Sequence, residues 1–152
     1  MTALESHGTT AFARKFWLGV AAYLLPTFPI AYLWHLVVFA PVYDALAIYR
    51  PDPIIPFGLA SMLIQGTIFS WAYPRLFPRR GSAILKPGLI YGLALAMLSW
   101  SFTTLAVAAK NIMTSVPVYI QLETGFTLLQ FLIVGPLIAL AYRNSTRRAV
   151  QI

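Results

Sequence analysis

Four long apolar stretches constrain this chain more than any other feature of its sequence. A helix needs about 20 apolar residues to cross the hydrocarbon core of a bilayer. Open strands are excluded there, because they would leave backbone amides unpaired in lipid. The segments that reach this length lie near 16–40, 57–77, 85–109 and 121–142. The sequence therefore predicts an all-α polytopic membrane protein, a four-transmembrane-helix bundle over residues 16–142, between a polar segment, 1–15, and a basic tail, 143–152.

The composition agrees with a membrane protein and excludes several other classes. Of the 152 residues, 59% are hydrophobic and only 10% are charged, which is too little charge to cover the surface of a soluble domain. The length predicts one domain. The chain has no cysteine, so disulfides, thiolate metal sites and thiol catalysis are excluded.

Topology follows from the distribution of the basic residues. Only two basic residues, Arg50 and Lys110, lie on the side of the membrane from which the second and fourth segments begin. The acids Asp44, Asp52 and Glu123 lie on the same side. The other nine of the eleven basic residues share the opposite side: Arg14, Lys15, Arg75, Arg79, Arg80, Lys86, Arg143, Arg147 and Arg148. The positive-inside rule then predicts an N-in/C-in, multi-pass membrane protein with both termini cytoplasmic. Because topology explains the net charge of +7, nucleic acid is not expected as a partner.

Polar residues within the apolar segments share a depth, and each requires a reason because burying it in lipid costs free energy. His35, Gln65, Thr104 and Gln130 all fall in the predicted outer half of the membrane. Tyr43, Asp44 and Glu123 lie just beyond them, toward the predicted outer surface of the membrane. These seven residues are the candidate ligand-binding residues.

Two interpretations of this group are open at the level of sequence. In the first, the residues line an outer-facing polar pocket in which His35 titrates, and Asp44 and Glu123 attract a cation or relay protons to it. In the second, His35, Gln65 and Gln130 form hydrogen bonds between helices and hold the bundle together. One histidine without a spaced partner predicts no metal site, and no catalytic residue or cofactor is indicated.

Small residues predict close helix packing in the third segment. Gly88, Gly92 and Ala96 recur at four-residue spacing, which lets another helix approach closely, either inside the bundle or from a partner. Short connections on the inner side favour antiparallel neighbours.

Two stretches resemble a known group of proteins. The first stretch is PIAYLWHLVVFAPVYDAL, in which the aromatic and histidine end of the first segment is followed by a Phe and a Tyr-Asp pair outside it. The second is ETGFTLLQFLIVGPLIALAYR, in the fourth segment. With the order and length of the segments, they resemble a family of uncharacterised bacterial four-helix integral membrane proteins, a domain of unknown function, over about residues 16–143. The resemblance implies the fold and a bacterial inner membrane, but no activity and no functional residues.

Three functions are compatible with these features. The first is a small-ligand or cation binding or transport module, acting in the lipid bilayer and as a homo-oligomer if it transports. The second is an accessory or structural subunit of a larger membrane complex, with the small-residue face of the third segment as its contact. The third is a membrane enzyme with His35 as acid or base, which is the least favoured because such catalysis usually needs a second positioned group.

Overall fold

The fold was analysed in a computed structural model that describes residues 3–77 and 83–143, with side chains described from Phe12 onward. All secondary structure in these ranges is helical. The helices are α1 (Ala3–Leu33), α2 (Ala40–Leu46), α3 (Ile55–Leu76), α4 (Leu85–Trp100), α5 (Ala106–Ala108) and α6 (Val116–Ala141). Two π-helical turns, Trp34–Val38 and Ser101–Leu105, extend α1 and α4.

Four helical stretches in the described ranges are long and apolar enough to cross a membrane. They are Phe12–Val38, Ile55–Leu76, Leu85–Ala108 and Val116–Ala141. The prediction of an all-helical chain with four apolar spans is therefore confirmed. The predicted inner loop at 78–82 and most of the basic tail, 144–152, lie outside the described residues.

Helix bounds differ from the sequence-based ones where proline begins a helix. The fourth span begins at Val116 rather than near residue 121, and Pro117 lies in its first turn. Proline suits that position because the first amides of a helix have no intrahelical acceptor. Pro41 begins α2 in the same way, so Tyr43 and Asp44 lie on a short helix.

The long helices pack in the order α3, α1, α6, α4, with the most extensive contact between α4 and α6. Although a short connection joins α3 to α4, these two helices meet through large side chains. The Tyr73 ring lies 5.2 Å from the Tyr91 ring, and the Tyr91 hydroxyl donates to the Phe69 carbonyl at 2.7 Å. The second and third spans, α3 and α4, are therefore not close neighbours although they are consecutive.

Glycines account for the close approach of α4 and α6. A Cβ at Gly88 would lie 2.6 Å from Pro136 Cα, and a Cβ at Gly135 would lie 2.7 Å from Gly92 Cα. Both distances are too short for real carbon contacts, so only glycine fits. The small-residue face of the third span thus packs inside the bundle, against α6.

The two ends of the bundle differ in their connections. At one end, the Thr114 hydroxyl donates to the Ala45 carbonyl at 2.8 Å and ties the connection before α6 to α2. We call this the His35 end. At the other end, Lys15 Nζ donates to the Arg143 carbonyl at 3.1 Å. We call it the basic end, since the described cations there are Arg14, Lys15, Arg75, Lys86 and Arg143.

Candidate functional site

A buried ion pair joins the first and fourth spans at the His35 end. His35 Nε2 lies 3.3 Å from Glu123 Oε1, and the two side chains are 16% and 6% exposed. The same carboxylate oxygen accepts a hydrogen bond of 2.7 Å from the Tyr43 hydroxyl. Burial, reinforced by the adjacent carboxylate, raises the pKa of Tyr43 far above its usual 10.0, so the phenol keeps its proton and remains a donor.

Both ring nitrogens of His35 contact groups of the protein. Nδ1 lies 3.0 Å from the Ala31 carbonyl oxygen, which can only accept a hydrogen bond. The Glu123 carboxylate at Nε2 is also an acceptor. Both ring nitrogens of His35 are therefore occupied by groups of the protein.

Aromatic rings surround the imidazole on several sides. The Phe126 ring meets it edge to face at 4.4 Å between centroids, and the Tyr43 ring lies 5.0 Å away. Tyr49 lies 6.0 Å from it and stacks on Tyr43 at 4.8 Å. Together with the Glu123 carboxylate, these rings form the surroundings of the imidazole.

A cleft between α1 and α3 opens beside His35. Its volume is about 370 Å³. One wall is an α1 stripe at helical spacing, comprising Phe28, Ala31, Tyr32, His35 and Leu36, and the facing wall comprises Ile55, Gly58, Leu59 and Met62 of α3. The chain between α2 and α3 adds Tyr49, Arg50, Pro53 and Ile54. Polar groups thus gather near His35 and Arg50, at the His35 end of the cleft, while the part of the cleft toward the basic end is apolar.

The two candidate glutamines belong to a separate hydrogen-bond network closer to the middle of the bundle. Gln130 is 5% exposed, and its Nε2 donates to Thr27 Oγ1 at 3.3 Å and to the Tyr23 hydroxyl at 3.4 Å. The Tyr23 hydroxyl in turn donates to Gln65 Oε1. These bonds link α1, α3 and α6. Neither amide lines the cleft.

Asp44 and Thr104 lie outside the cleft as well. Asp44 is exposed, and its side chain makes no hydrogen bond or ion pair with the described residues. Thr104 lies in the second π turn, fully buried, and its hydroxyl has no hydrogen-bond partner in the described part of the chain. Of the seven candidates, the structure brings together His35, Tyr43 and Glu123, and only His35 lines the cleft.

Arg50, Tyr49 and Gly58 line the cleft and were not among the sequence candidates. A signal for Arg50 existed, since it is one of only two basic residues that depart from the positive-inside pattern. No comparable signal marked Gly58, whose Cβ position has no neighbour within 4 Å. Within the described ranges, no group of three His, Asp or Glu side chains could hold a metal ion.

Comparisons with known proteins add no further assignment. No family model matches the chain, and no curated protein or solved structure is significantly similar to it. The resemblance to a bacterial four-helix membrane family therefore stays a prediction, and function has to be argued from the site alone.

Proposed function

We propose that this protein is a small-ligand binding module of a cell membrane, and that the ligand occupies the cleft beside His35. The cleft itself carries this proposal. Its volume of about 370 Å³ lies in the range of about 300–1,000 Å³ that is typical of small-molecule sites. Such sites are mostly apolar with a few polar groups that orient the ligand, and His35, Tyr49 and Arg50 are placed to play that role here.

We also propose that the His35 end faces outward and that both termini are cytoplasmic. The five described cations of the basic end support this orientation by the positive-inside rule. Arg75 stacks over the Trp71 ring at 3.9 Å, as expected for a cation and an indole at the level of the lipid headgroups. A bacterial inner membrane follows only from the family resemblance.

The charge at the cleft favours a ligand other than a cation. Arg50 lies on its wall and would repel one. The Glu123 carboxylate, which would attract a cation, is already engaged by His35 and Tyr43.

The two other candidate functions receive less support. The face of α4 that would contact a larger complex packs against Pro136 and Gly135 of α6. An acid–base role for His35 finds a partner in Glu123, but both ring nitrogens already have hydrogen-bond partners within the protein. Neither nitrogen is free to exchange a proton with a ligand in this arrangement.

Replacing Gly58 by phenylalanine is expected to abolish ligand binding with little effect on folding. The new ring would enter the cleft, and its Cβ would meet no atom within 4 Å. Native mass spectrometry of the protein in mild detergent, with dodecanol as an apolar probe, would count the bound probe molecules. We expect one saturable site in the wild type and none in Gly58→Phe.

Ile68→Phe is the matched control, since Ile68 is 53% exposed on the same helix and does not line the cleft. It should bind dodecanol like the wild type. Equal, saturable binding by the wild type and Gly58→Phe, or no saturable binding by the wild type, would refute the proposed site.

A further inference from the structure

We infer that the natural ligand of the cleft is a single-chain amphiphile whose anionic head, a carboxylate or a phosphate ester, binds to Arg50. This inference rests on the proposed function and specifies the chemistry of the ligand. It is carried by the shape of the cleft and by the position of Arg50 in its wall.

The shape of the cleft suits one extended hydrocarbon chain. On the α1 side, its wall runs from Phe28 to Leu36, which spans about 12 Å at the helical rise of 1.5 Å per residue. The opposite wall is formed by α3 from Ile55 to Met62. Apart from His35, these walls present only apolar groups and the Tyr32 ring, so the body of the ligand must be apolar.

Arg50 lies at the end of the cleft nearest the water, in the connection between α2 and α3. Its guanidinium makes no hydrogen bond or ion pair with the described residues, although Asp52 is only two positions away. A guanidinium offers a planar fork of donors that matches carboxylate and phosphate oxygens. Because topology disfavours a cation on this side, an unpaired arginine here indicates binding of an anion.

His35 lines the cleft but offers a ligand no free ring nitrogen. Its Nδ1 and Nε2 are engaged by Ala31 and Glu123, so it meets a ligand through its ring. The groups that face it are the Glu123 carboxylate and the rings of Tyr43, Tyr49 and Phe126. Arg50 supplies the positive charge of the site.

The test compares probes that share a tail and differ in their heads. Dodecanoate, dodecyl phosphate, dodecanol and dodecylammonium would be titrated against the full chain by native mass spectrometry. We expect at least one of the two anions to bind about tenfold more tightly than dodecanol, as one charge-assisted contact predicts. Dodecylammonium should bind most weakly, and the tighter anion would identify the head group as carboxylate or phosphate.

Variants of Arg50 separate this inference from the proposed function. Arg50→Gln should weaken binding of the preferred anion about tenfold relative to dodecanol, because the charged contact is lost. Arg50→Lys should restore part of the preference. Lys110→Gln, at the other basic residue of this end, should have no effect. If all four probes bind with equal affinity and Gly58→Phe abolishes their binding, the anionic ligand is overturned but the cleft remains the binding site. Dodecanol binding insensitive to Gly58→Phe would overturn both.

Discussion

Replacement of Glu123 by leucine is expected to lower the free energy of unfolding by about 3–5 kcal/mol, because it removes one partner of a buried ionisable pair. His35 would lose its carboxylate at 3.3 Å, and the Tyr43 hydroxyl would lose its acceptor at 2.7 Å. Both groups are too buried to recover these bonds with water at no cost. Unfolding by increasing mole fractions of dodecyl sulfate in mixed micelles, followed by circular dichroism, would measure the change.

A double variant distinguishes the ion pair from simple loss of packing. When both His35 and Glu123 are leucine, no charge is left unpaired, and apolar replacement of a buried pair is often neutral. The double variant should therefore be more stable than Glu123→Leu alone. Gln121→Leu, an exposed change on the same helix, should stay within about 0.5 kcal/mol of the wild type. Strictly additive losses in the double variant would show that the pair does not couple α1 to α6.

Replacement of Gly92 by alanine is expected to destabilise the protein by about 1–3 kcal/mol, although alanine favours a helix more than glycine does. The added Cβ would overlap the carbonyl oxygen of Phe131 and lie 3.3 Å from Gly135 Cα. Both are backbone atoms, so α4 and α6 must move apart to admit it. The same dodecyl sulfate titration would report the loss.

Gly58→Ala provides a matched control for this prediction. It is the same substitution in another apolar helix, with open space within 4 Å of the new Cβ. It should be neutral or gain up to about 1 kcal/mol from helix propensity. If the two variants were equally stable, close glycine packing would not hold α4 against α6.

The apolar spans were predictable because crossing a bilayer sets a minimum length that few other folds satisfy. The contact between His35 and Glu123 was harder to predict. Placing the start of the fourth helix near residue 121 put Glu123 at the helix start, whereas the helix begins at Val116. Glu123 therefore lies about two turns inside the helix. This shift brings the carboxylate to the level of His35.

The other parts of the site depend on tertiary structure. The π turn that carries His35 is a local change of hydrogen bonding that periodicity does not encode, and such turns are frequent at functional sites. Gln65 and Gln130 were predicted to share a depth with His35, but their partners Tyr23 and Thr27 lie about two to three helical turns from His35 along α1. Asp44 does not reach the pair, because its neighbour Tyr43 is the residue of α2 that points inward.

The proposed orientation and the anionic ligand both depend on the side of the membrane to which the cleft opens. Because the chain has no cysteine, single cysteines at the exposed positions Asp52 and Lys86 can report on the two ends of the bundle. A membrane-impermeant maleimide applied to intact cells should label Asp52→Cys at once and label Lys86→Cys only after the membrane is permeabilised. Labelling of both positions from the same side, or of Lys86→Cys alone, would contradict the proposed crossings and the outward-facing cleft.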